Sequence, residues 1–199
     1  IKNKYFFLDT FSNAFYAGSK FLYNIVVFSF LISSFPLQDY GVYIFFATLM
    51  TQFEFVQSGF STSLERYIPL YKDKKEVSNL IFVVAIVYLA FGLLFSSGVY
   101  ILDYYKLFSF LNSNDIYDFL ILLIYFVPLI WFFKTFSFAL RAFKDFRTEN
   151  LVNISFLLIE AVLVYIAIKN NYKLNEILFI NLICLLLRYC THTIFVFIR

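Results

Sequence analysis

The sequence predicts an all-α, polytopic transmembrane bundle of about six helices, and three observations predict it. Hydrophobic residues make up 62% of the 199-residue chain, aromatics make up 24% and mean hydropathy is +0.79. Soluble domains hold roughly 45 to 50% apolar residues. Long apolar runs recur at near-regular intervals, so the surplus cannot be one buried core under an ordinary polar surface. The runs are also about twice the length that a tilted barrel strand needs, and they lack its in-out alternation.

Windows of about 19 residues, read against a hydrocarbon core of roughly 30 Å, place the spans at about 13–34, 41–63, 78–102, 116–139, 150–168 and 176–198. No basic-apolar-small cleavage pattern precedes the first run, so the first helix is expected to direct insertion itself. The chain starts without a Met and stops directly after an apolar run, and is expected to be a fragment. Pro36 falls in the first connection, Gly41 opens the second span and Pro69 follows it. Pro128 sits in the middle of the fourth span, where it removes a backbone donor and is expected to kink the helix.

Charge sets the expected orientation. Ten basic residues, among them Arg66, Lys74, Arg141 and Arg147, fall on one side of this map, against three, Lys106, Lys169 and Lys173, on the other. By the positive-inside rule both termini are cytoplasmic. The net charge of +3 does not indicate nucleic acid, because the basic residues lie between apolar runs without a binding motif. Cys184 and Cys190 lie six positions apart on different helix faces, without metal or disulfide spacing, and read as packing residues.

Five charged residues remain inside the spans: Lys20, Lys134, Arg188, Glu54 and Glu160. Each costs about 2.5 to 3.5 kcal/mol or more at a helix centre, so none should face lipid. Their spacing shows where they point. Thr51, Glu54, Ser58, Ser61 and Glu65 stack on one face of the second span, as do Asn13, Lys20 and Asn24 in the first. Lys134, Ser137 and Arg141 do so in the fourth, and Asn181, Cys184, Arg188 and His192 in the sixth; Asn153 and Glu160 add a weaker stripe in the fifth. Turned inward, these stripes enclose either a hydrogen-bonded polar core or a water-filled cavity. Arg188, Lys20, Lys134 and Asn24 are the candidate cavity residues, although Lys20 and Lys134 are also placed to snorkel to an interface. Glu54 and Glu160 are candidates either for neutralising those cations or for coupling transport to protons. The three cations exceed the two carboxylates, which favours an anionic ligand.

Enzyme signatures are missing. The sequence has no nucleophile elbow, no HExxH, no glycine-rich phosphate loop and a single His, so neither catalysis nor a metal or other cofactor is expected.

The segment Phe35–Pro69, FPLQDYGVYIFFATLMTQFEFVQSGFSTSLERYIP, resembles the polysaccharide flippases of the multidrug/oligosaccharidyl-lipid/polysaccharide exporter superfamily. The matching features are the turn ending in Asp39-Tyr40-Gly41-x-Tyr43, and Gly59 spaced seven residues from Arg66, with Tyr67 and Pro69 after it. The stretch Leu140–Leu163, LRAFKDFRTENLVNISFLLIEAVL, resembles the same family's fourth connection and fifth helix. The resemblance implies a MATE-like transporter fold of twelve or more helices in two lobes. Residues 1–199 would then be a single transmembrane domain, the N-terminal lobe, with the C-terminal lobe of the same chain as its partner. It further implies a flippase working by alternating access in a bacterial inner membrane, moving a lipid-linked oligosaccharide for surface polysaccharide biosynthesis. Arg188, Lys20 and Lys134 would then meet its pyrophosphate or acidic sugars; their role rests on the stripes, since no family motif covers them. The alternatives are a multidrug or metabolite exporter of the same superfamily, which predicts a more acidic interior, and a membrane-embedded enzyme of polysaccharide assembly.

Overall fold

A computed structural model describes residues 2–37, 40–41, 43–44, 48, 59, 61–71, 73–105 and 114–198. Its regular structure among these residues is entirely helical, as the apolar runs predict. The helices are α1 (Lys2–Ser34), α2 (Lys74–Tyr104), α3 (Asn114–Ala142), α4 (Phe146–Lys169) and α5 (Leu174–Phe197), with a 3₁₀ turn at Ile68–Leu70 before α2. Each of the five contains a segment long and apolar enough to cross a membrane, as in a multi-pass membrane protein. They correspond to the first, third, fourth, fifth and sixth predicted spans. Most of the second span lies outside the described residues, although residues 61–67 are helical.

The helices run past the hydropathy windows at most ends, because a helix continues until a cap or a breaker stops it, whereas a window stops where apolarity does. Pro36 stops α1 by disfavouring helical backbone at Phe35. The α3–α4 connection, expected to be a charged loop over Leu140–Glu149, is three residues long. Lys144 takes a left-handed φ of 59°, and the Asp145 and Lys144 N–H groups donate to the carbonyls of Leu140 and Arg141 at 2.9 and 2.8 Å. This pairing is a Schellman motif. Asp145 then caps α4, accepting from the Thr148 N–H at 3.4 Å. The same motif ends α4 with Asn171 at φ 56°, and the Lys173 N–H donates to Glu176 Oε2 at 2.7 Å as α5 begins. Connections this short force α3/α4 and α4/α5 to pack antiparallel.

Side-chain pairs give the remaining directions. Arg147 meets Asp9, Asn150 meets Asn13, Tyr23 meets Glu160, and the Phe30 and Tyr165 rings touch, so α1 and α4 run parallel. Contacts of Phe126 with Phe179 and Phe136 with Phe197 make α3 and α5 parallel, while Tyr88 against Phe138 and Phe95 against Trp131 make α2 and α3 antiparallel. Consequently α1 and α2 begin at the same end of the bundle. Ser34 and Lys74 therefore lie at opposite ends of the bundle.

In space the described helices follow the order α1, α4, α5, α3, α2. One apolar cluster joins α2, α3 and α5 through residues such as Ala85, Tyr88, Val127, Trp131 and Leu182; a smaller one joins α1, α4 and α5 through Val27, Leu31, Val164 and Ile177. Gly92 of α2 is buried directly against Pro128, and a Cβ there would lie 2.6 Å from the Pro128 Cα. Helix α3 continues through Pro128. Large apolar side chains remain exposed on every helix, including Phe15, Leu94, Tyr125, Leu158 and Ile194. A surface this apolar suits lipid rather than water.

Candidate functional site

Four of the helices turn polar stripes toward one cavity of about 440 Å³. From α1 come Tyr16, Lys20, Tyr23 and Asn24, and from α3 Lys134, Ser137 and Arg141. Helix α4 contributes Glu149, Asn153 and Glu160, while α5 contributes Asn181, Arg188 and Tyr189 among several leucines. Steps of three and four residues place each set on one helix face. Along α4 the lining runs from Glu149 to Glu160, about 16 Å at the helical rise, or half the thickness of a hydrocarbon core. The lining thus covers the first half of α4, while on α5 it begins at Leu178, one turn from the start of that helix.

All four candidate cavity residues, Arg188, Lys20, Lys134 and Asn24, meet at this wall, and Glu160 joins them. Glu54, with Thr51 and Ser58, lies outside the described residues. Lys20 and Asn24 are exposed on the side of α1 that lines the cavity, whereas Lys134 is 9% exposed. The Lys134 Nζ lies 5.8 Å from the Phe138 ring centroid and 6.0 Å from that of Tyr189. Arg188 Cζ is 5.2 Å from the same Tyr189 centroid. These distances are within cation–π range. Glu160 accepts a hydrogen bond from the Tyr23 hydroxyl at 2.6 Å.

At the end where α3 passes into α4, Glu149 accepts from Arg141 Nε at 2.7 and 2.9 Å and from the Ser137 hydroxyl at 3.0 Å. His192, fully buried on α5, places Nε2 3.5 Å from the Glu149 backbone carbonyl. It sits in the helix interior as a polar packing residue. Cys184 and Cys190 are both free thiols, the first buried and the second half-buried. Among the described residues, no three His, Cys, Asp or Glu side chains group to hold a metal ion.

The sequence pattern places Arg141 on the polar stripe of the fourth span but leaves Glu149 in the charged connection after it, and so misses their pair. The signal was present: Glu149, Asn153 and Glu160 share one face, and starting the fifth span one turn earlier would have joined Glu149 to that stripe. The lining tyrosines carried no such signal, because a phenol among sixteen tyrosines does not stand out in an aromatic-rich chain. No known protein family, characterised protein or solved structure matches the chain.

Proposed function

We propose that this chain is one lobe of a transporter that carries an anionic, lipid-linked oligosaccharide across a bacterial cytoplasmic membrane for surface polysaccharide biosynthesis. The observation that carries the reading is the charge of the cavity. Among the described residues, four basic side chains, Lys20, Lys134, Arg141 and Arg188, line it against two acidic ones, Glu149 and Glu160. Both carboxylates accept hydrogen bonds from the protein itself, Glu149 from Arg141 and Ser137 and Glu160 from Tyr23. Carboxamides and phenols complete the wall and suit the hydroxyls of a sugar. A lipid tail can stay among the exposed apolar side chains of α1 while its head group enters. The multidrug or metabolite exporter is disfavoured by the same excess of cations, since an acidic interior would suit its cationic drugs. A membrane enzyme of polysaccharide assembly would need a nucleophile with a free adjacent base; among the described residues the Ser137 hydroxyl does meet the Glu149 carboxylate at 3.0 Å, but Arg141 holds both oxygens of that carboxylate.

Orientation follows from where the basic residues sit. Lys74, Lys75, Arg141, Lys144 and Arg147 fall at the end where α1, α2 and α4 begin, and Lys169 and Lys173 at the other. In this reading the first end, with both termini, is cytoplasmic. Cysteines introduced at Leu70 or Asp73 are then labelled only after the membrane is permeabilised, and those at Tyr105 or Asn171 in intact cells. The opposite labelling would reverse the orientation.

The function is tested by Arg188→Ala in the native host. Surface polymer is expected to be lost and lipid-linked repeat units to accumulate inside, with the protein still inserted. Unchanged surface polymer would remove Arg188, and with it the cationic cavity, from the transport path.

A further inference from the structure

Arg188 and Lys134 come from different helices and share one aromatic ring. Their charge centres lie 5.2 and 6.0 Å from the Tyr189 centroid, so they are within about 11 Å of each other. Two like charges this close in a membrane interior repel with little screening. The negative face of an aromatic ring attracts a cation and offsets part of that repulsion, while restricting two long, flexible side chains.

Tyr189 is well fixed for such a task. It is 5% exposed, in the apolar cluster shared by α2, α3 and α5. Its ring lies 5.9 Å from that of His192, whose Nε2 meets the Glu149 carbonyl. A continuous set of contacts thus braces the ring from the Arg141–Glu149 pair beside the α3–α4 turn.

We propose that Tyr189 is a positioning residue that presents Lys134 and Arg188 together as a two-cation clamp for a phosphate-type polyanion of pyrophosphate size. Each cation supplies charge-assisted donors to one end of the anion, and the ring holds the two donors at a working separation. The proposal rests on reading the cavity as an anion site. It adds that the geometry of the clamp, rather than the mere number of cations, sets the affinity.

The full chain in lipid nanodiscs provides the test, with inorganic pyrophosphate and farnesyl pyrophosphate as probes. Trp131, the single Trp, lies one turn before Lys134 on α3 and serves as the fluorescence reporter. Tyr189→Leu is expected to weaken pyrophosphate binding about tenfold or more. Tyr189→Phe, which keeps the ring, is expected to stay within about twofold of the parent. Melting temperatures of both variants identify any that fail to fold, and Tyr189→Met, which fills the space without a ring, takes the place of the leucine variant if that one does. In the background of Lys134→Met, Tyr189→Leu is expected to cost much less than it does alone, a non-additivity that a purely structural role would not produce. Tighter binding of farnesyl pyrophosphate supports the clamp with a lipid-borne ligand, and tighter binding of free pyrophosphate supports it with a soluble one.

Full affinity in a folded Tyr189→Leu variant would overturn the clamp, as would equal loss in the leucine and phenylalanine variants. A parent chain that binds neither probe while surface polymer export is intact would also overturn it. That last result would leave the transport reading standing, because transport is judged separately by Arg188→Ala in cells.

Discussion

Arg141 and Glu149 form an ion pair across the α3–α4 turn, in which Arg141 Nε reaches both carboxylate oxygens, at 2.7 and 2.9 Å. The two side chains are unequally buried, with Glu149 2% and Arg141 40% exposed. Loss of the arginine strands a charge that has no access to water, whereas loss of the glutamate frees an arginine that can be solvated. Breaking a fully buried pair from one side costs about 3 to 5 kcal/mol, and the exposure of Arg141 brings the expected cost of Arg141→Ala down to about 2 kcal/mol. Replacing both partners, as in Arg141→Met with Glu149→Leu, is expected to recover most of that loss. Equilibrium unfolding in mixed detergent micelles measures both variants against the parent. Equal losses in the single and double variants would show that the pair contributes nothing.

Gly92 and Gly98 lie on the same helix and predict opposite outcomes. A Cβ at Gly92 would meet the Pro128 backbone at 2.6 Å, and backbone cannot rotate away as a side chain can. Gly92→Ala must therefore push α2 from α3 and is expected to destabilise by about 1 to 3 kcal/mol. At Gly98 nothing lies within 4 Å of the added Cβ. There Ala is expected to be neutral or to stabilise by up to about 1 kcal/mol through helix propensity. Thermal melts of the two variants decide the matter, and similar behaviour would contradict the close approach.

Hydropathy made the helices legible and left their neighbours illegible. A run of apolar residues reports transfer into lipid, which each helix satisfies by itself. The pairing of α2 with α3, and of α3 with α5, instead depends on which small residues and ring shapes fit, as at Gly92 against Pro128 and at Phe126 against Phe179. Charge inside a span was partly legible for the same energetic reason: Arg188, near mid-span, is too costly to face lipid, whereas Lys134 lay close enough to a span end for spacing to leave an interface open to it. Glu149 escaped because a carboxylate within a turn of a helix end has two acceptable fates, solvent or a partner. Only the Schellman turn at Lys144, which shortens the connection to three residues, decides between them. Tyr189 was invisible because its importance comes from what approaches it from α3.

The parallel run of α1 and α4 gives a prediction that needs no function. Asn150 Nδ2 donates to Asn13 Oδ1 at 2.6 Å and to the Ser12 hydroxyl at 3.0 Å. With Cys184 and Cys190 replaced by Ala, Asn13→Cys and Asn150→Cys are expected to link efficiently through a short bifunctional reagent, as read by mass spectrometry of the joined peptides. Asn13→Cys with Glu160→Cys is not, because ten residues along α4 add about 15 Å. The reverse pattern would mean that the helices run antiparallel, and the mid-depth contact of Tyr23 with Glu160 would fall with it.

That contact bears on how many cations remain for a ligand. Tyr23 donates to Glu160 Oε1 at 2.6 Å, and Arg188 lines the same cavity. A carboxylate holding a short hydrogen bond from a phenol is less demanding of a neighbouring guanidinium than a bare one. Tyr23→Phe removes the donor while keeping the ring, so Glu160 is expected to draw Arg188 toward itself and to compete with an anionic substrate. Under the transport reading the apparent KM should rise several-fold, with little change in maximal rate, because binding is impaired and the moving parts are intact. Glu160→Gln, which removes the competing charge, is expected to restore the affinity when combined with Tyr23→Phe. Uptake of a labelled lipid-linked oligosaccharide into inverted vesicles measures both effects, and a fall in maximal rate at unchanged KM would instead assign Tyr23 to the conformational step.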